Sequence, residues 1–104
     1  MPEHSDPNWR PDPQFWILEP QLPESCNRDW ILGYEMIASP ENAKTFIASI
    51  FPRSGFGNSI AVLPPRPEMR DYEERAPLLV ANMNCTVFDF IVRQKIQGQN
   101  LNWY

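Results

Sequence analysis

The chain has 104 residues, 42% of them hydrophobic and 12% aromatic, with twelve prolines, two cysteines, one histidine and a formal net charge of −4. That length allows one domain near the low end of independently stable size, with enough apolar residues for a core. No run of about 18 apolar residues exists, which excludes a membrane-spanning helix, and the acidic balance argues against a free-standing nucleic-acid binder.

Charge is unevenly divided. Residues 1–41 hold eight acids and two bases, giving −6, whereas residues 42–104 hold seven bases and five acids, giving +2. Met1-Pro2-Glu3-His4-Ser5-Asp6 has neither the basic nor the apolar part of a secretory signal, so a cytoplasmic location is expected. Cys26 and Cys85 have no metal-ligand spacing, and His4 is the only histidine, so metal binding is rejected. The two could form one disulfide, but Cys85 lies within a helical apolar pattern and reads as a buried free thiol.

Residues 1–29 contain six prolines with Trp9, Phe15 and Trp16 between them, a density that defeats helix interiors and central strands. They read as an extended arm laid over the domain surface, or as a linker. Residues 30–39, WILGYEMIAS, form the first predicted strand, with Trp30, Leu32, Tyr34 and Met36 on one face and Ile31 and Ile37 on the other. Ser39-Pro40-Glu41-Asn42 is a turn by composition. Residues 44–51, KTFIASIF, are rich in β-branched and aromatic residues and pair with the first strand as an antiparallel hairpin with a short loop. A glycine-bearing loop over 52–58 leads to a short third strand at 60–63, and the charged, proline-rich stretch 64–76 reads as an exposed loop.

From Pro77 the pattern turns helical. Val80, Met83, Val87, Phe90 and Ile91 recur at helical spacing as one buried stripe, Pro77 suits a first turn, and Arg93, Gln94 and Lys95 close the helix over 78–96. Gly98 stops it, and the aromatic end of the tail reads as a strand or loop whose continuation lies elsewhere. The expected fold class is α+β: a small antiparallel sheet packed by a C-terminal helix, with a Pro/Trp-rich N-terminal arm over 1–29 and a domain over 30–104.

Two blocks carry a resemblance. Thr45, Ile47, Ala48, Ser49, Pro52, Arg53 and Gly57 form the first. Asn84, Val87, Phe88, Asp89, Phe90, Arg93, Gln94, Lys95, Gly98, Asn100, Leu101 and Asn102 form the second. In this order they resemble the target-recognition region of large adenine-N6 DNA methyltransferases, the fused restriction-methylase (Type IIG-like) and phage-exclusion families. The likeness covers roughly residues 28–104, and Gln97-Gly98-Gln99 stands where those families tend to have Gly-Gly-Thr. The resemblance implies a partial target-recognition domain that partners double-stranded DNA and a methyltransferase catalytic domain, in the same longer protein or on a separate chain. It implies S-adenosylmethionine only in that catalytic domain.

Catalytic motifs are absent from these residues. The adenine-holding Asn/Asp-Pro-Pro-Tyr/Phe sequence has no counterpart, because Pro64-Pro65 lies between Leu63 and Arg66. Gly55-Phe56-Gly57 lacks the further residues of a phosphate cradle. The chain by itself therefore reads as non-catalytic. Base readers are Arg, Lys, Asn and Gln, whose donors and acceptors match base edges. Arg53, Asn58, Arg93, Gln94, Lys95, Asn100 and Asn102 are the DNA-binding candidates. Three alternatives stay open: Arg93 and Lys95 serve as helix-terminal cations with Asp89 paired to Arg93; the chain is a docking piece that uses Trp9, Trp16 and Trp30; or it is a truncated gene remnant.

Overall fold

The computed structural model describes residues 6–9, 16–96, 98, 100 and 101. A three-stranded antiparallel sheet carries two helices, the α+β class expected. Strand β1 (Trp30–Glu35) lies between β2 (Ala48–Pro52) and β3 (Ile60–Val62). Register pairs Leu32 with Ile50 and Tyr34 with both Ala48 and Ala61. Being central, β1 is buried from Ile31 through Tyr34 rather than alternating in burial. Gly33 is required there: a Cβ would come within 2.7 Å of the Ala61 carbonyl oxygen.

The helical face of the sheet holds the core. Tyr34, Phe46, Ala48 and Met83 make one buried group, and Leu32, Tyr72 and Ala76 make a second beside it. Rings organise both. Tyr34 stacks on Phe46 at 5.0 Å, Phe88 meets Phe46 edge-on at 5.0 Å, and Trp30 lies flat on Tyr72 at 5.5 Å.

Several expectations need correction. The segment 64–76 is not wholly a loop, because α1 (Tyr72–Met83) begins at Tyr72 and buries Tyr72 and Ala76. Apolar residues at 72, 76, 80 and 83 keep helical spacing through the charged letters Glu73, Glu74 and Arg75, which lie on the exposed side. Pro77 therefore stands inside α1 rather than in its first turn.

The single helix over 78–96 is in fact two, with α2 at Thr86–Lys95. The break falls where Asn84 turns its side chain to the sheet and Cys85 becomes extended to cap α2, accepting from the Phe88 N–H. Cys85 is free, as expected, but exposed rather than buried.

The expected stripe breaks at the same place. Met83 is buried, yet Val87, Phe90 and Ile91 are 69%, 61% and 49% exposed. Helix α2 instead turns Phe88, Asp89 and Val92 inward. The loop between β1 and β2 is also longer than a hairpin turn, running over 36–47. Its middle is bonded to α2 instead of to a strand.

Candidate nucleic-acid interface

Asp89 is the hub of the C-terminal half. Its Oδ1 accepts from the N–H groups of Thr45 (2.8 Å) and Phe46 (2.7 Å), and its Oδ2 accepts from Arg93 at 3.2 Å. Burial disfavours the charged carboxylate, but the two N–H donors and the Arg93 guanidinium outweigh that and hold its pKa below the ordinary range. Arg93 also donates to the carbonyls of Pro40 (3.0 Å), Asn42 (2.9 Å) and Ala43 (3.3 Å). This side chain is thus engaged in holding the 36–47 loop, and it is not free to meet a base edge. The helix-internal pair with Asp89, one of the two readings of Arg93, is present.

Asn84 has a comparable role. Its carboxamide donates to the Ala48 carbonyl (2.7 Å) and accepts from the Ala48 N–H (3.0 Å), while Lys44 Nζ donates to the Asn84 carbonyl at 2.7 Å. The two sequence blocks, about 40 residues apart in the chain, therefore meet as one unit. Sequence reasoning did not assign Lys44 or this clasp, which joins residues 36 to 44 positions apart in the chain.

Arg53 stands at the other end of the sheet. It follows Pro52, the partner of Trp30, and its guanidinium donates to Glu19 at 2.7 Å. Its Nε is buried with no hydrogen-bond partner among the described residues. Ile17 packs on Gly55 beside it, so residues 16–22 lie across this loop. Near it, Arg28 pairs with Glu73 and sits 5.7 Å from the centre of the Tyr72 ring. Tyr72 donates to the Leu63 carbonyl at 2.6 Å, and burial raises its pKa against the opposing effect of Arg28.

Two of the remaining candidates lie at the opposite, Glu35 end. Asn58 precedes β3, and Asn100 bridges to Ile37 beyond β1. Together with Met36, Ile37 and Ser59 they line a cleft of about 460 Å³. Gln94 and Lys95 are exposed at the C-terminal end of α2. Asn102 lies outside the described residues. The seven expected DNA-binding residues are therefore divided: Asn58 and Asn100 share a cleft, Arg93 is committed to the fold, and Arg53 is a sheet's length away.

Among the described residues there is no cluster of three or more potential metal ligands, and no helix is long and apolar enough to cross a membrane. Comparison with family models, curated proteins and solved structures returned no match.

Proposed function

We propose that this chain is a portion of the DNA target-recognition region of an adenine-specific DNA methyltransferase, non-catalytic by itself and acting with a catalytic domain that holds S-adenosylmethionine. The observation that carries this reading is the junction of the two resemblance blocks. Asn84 and Asp89 of the second take the backbone of Ala48, Thr45 and Phe46 in the first. Residues that share a motif pattern in two separate blocks are thereby explained as one structural unit. The DNA-facing part then shifts from the arginines to Asn58, Asn100, Gln94 and Lys95, which remain exposed. Cytoplasmic action follows from that partner.

The docking reading has its own support. Val87, Phe90 and Ile91 form an exposed apolar face on α2, and Trp16 is 84% exposed, although Trp30 is engaged with Tyr72. Titrating the chain with a mixed-sequence DNA duplex at several salt concentrations separates the two. Recognition predicts saturable binding whose affinity falls as salt rises, because phosphate contacts release counterions. No binding at low salt, together with a raised unfolding midpoint on adding the catalytic domain, makes the chain a docking piece.

A further inference from the structure

Among the described residues, the cleft lined by Met36, Ile37, Asn58, Ser59 and Asn100 has no acidic or basic residue in its lining. Phosphate recognition calls for Arg, Lys or converging N–H groups, so the side chains here suit a neutral ligand. Two carboxamides stand at its margins, 42 positions apart in sequence and brought together by the Ile37–Asn100 bridge and the turn before β3. Neither Asn58 nor Asn100 spends its side-chain amide on a hydrogen bond to another described residue, whereas Asn84 spends both of its groups. The backbone around them is already occupied: Leu101 donates to the Met36 carbonyl and Met36 donates to the Ser59 carbonyl, each at 2.8 Å. The cleft wall is thus held by main chain, and the two amides are left for a ligand.

A carboxamide presents one donor and one acceptor side by side. The major-groove edge of adenine offers the complement, an N6 donor next to the N7 acceptor, while guanine there offers two acceptors and is read by Arg or Lys. Thymine adds a methyl group to the same edge, which an apolar side chain contacts. Ile37, 54% exposed, provides such a surface in the cleft lining, and a serine hydroxyl such as that of Ser59 can bond to either base. We propose that this cleft reads an A·T base pair through its major-groove edge, with Asn58 and Asn100 supplying the adenine-directed amides and Ile37 the methyl contact. The assignment rests on the DNA-recognition reading above and deepens it.

The test is selection of a randomised DNA duplex by the chain, followed by titration of the selected site. The parent chain is expected to enrich a site with at least one fixed A·T pair. Asn58→Ala combined with Asn100→Ala is expected to lower preference at that pair roughly tenfold, leaving other positions and the salt dependence unchanged. Replacing the selected adenine with 7-deazaadenine, which lacks the N7 acceptor, should weaken the parent by a similar factor and the double variant little further. The single variants apportion the effect between the two amides. Matching melting curves for parent and variants confirm that folding is intact, since neither amide holds the fold. An enriched site whose A·T preference survives both substitutions, or a 7-deazaadenine penalty equal in parent and variant, overturns the cleft assignment while leaving DNA recognition standing. Failure to enrich any site overturns both.

Discussion

The carboxamide of Asn84 holds both backbone polar groups of Ala48, donating to its carbonyl at 2.7 Å and accepting from its N–H at 3.0 Å. Ala48 opens β2, an edge strand of the sheet, and such an edge otherwise offers unpaired groups to any passing strand. Here one side chain from the end of α1 takes the place of a neighbouring strand and ties the helices to the sheet. Asn84→Ala is expected to destabilise the chain by about 2 kcal/mol, the cost of part-buried groups left unpaired. Asn84→Asp should cost at least as much, because a carboxylate cannot donate to the Ala48 carbonyl. Urea denaturation at neutral pH measures both.

Asp89 makes stability pH-dependent. Its pKa in the folded chain lies below the ordinary carboxylate range, despite burial, because Phe46, Thr45 and Arg93 all favour the charged form. A folded-state value depressed below the unfolded one, which is about 3.9, gives stabilisation that is complete above the unfolded value. It is lost as pH falls through the folded value. Denaturation midpoints measured from pH 6 downward should therefore decline below about pH 4. Asp89→Asn should be destabilised at neutral pH and should lose Asp89's share of that decline. Because Thr45 and Phe46 would lose a charged acceptor, the neutral-pH cost is expected to be about 3 kcal/mol.

The rotation of α2 has a direct check. Phe88 packs on Phe46 within the core, whereas Phe90 is 61% exposed. Phe88→Ala should cost about 3 kcal/mol, and Phe90→Ser should stay within about 0.5 kcal/mol of the parent. Had the stripe of Val87, Phe90 and Ile91 been the buried one, the two results would exchange places. Thermal unfolding of the pair decides it.

Legibility followed the kind of signal. Alternation of apolar residues placed β1, with Leu32 and Tyr34 on its core face, and β-branched content placed β2 and β3 within a few residues. Helix content at the C-terminus was equally plain. What periodicity could not show was the break at Asn84-Cys85, because two short helices in sequence give nearly the same apolar spacing as one long helix. The break depends on a side chain bonding to a strand 36 residues earlier, a tertiary event. The same reason divided the expected site. Arg93 has the chemistry of a nucleic-acid reader, yet backbone carbonyls 50 to 53 residues away claim it first. Asn58 and Asn100 keep their side-chain amides unengaged because no such partner reaches them among the described residues.

Residues 16–22 rest on the sheet domain through two contacts that can be weakened separately. Ile17 packs on Gly55, where an added Cβ would come within 2.6 Å of its Cγ2 atom, and Glu19 pairs with Arg53. Ile17 is 47% exposed and Leu18 71%, and the carbonyls of Leu18 and Glu19 accept from the N–H groups of Gln21 and Leu22 within their own turn. The segment, rather than the sheet, should therefore yield when space at Gly55 is filled. Glu19 is 74% exposed, so the ion pair contributes less than about 1 kcal/mol. Gly55→Ala is expected to speed amide exchange at Gln21 and Leu22 and proteolytic cleavage within 16–22, with the melting temperature of the sheet domain little changed. Glu19→Gln should act in the same direction and more weakly, and high salt should reproduce its effect on the parent chain. If Gly55→Ala instead lowers the melting temperature by many degrees and raises exchange throughout β1, then the segment is part of the cooperative fold rather than a strap upon it.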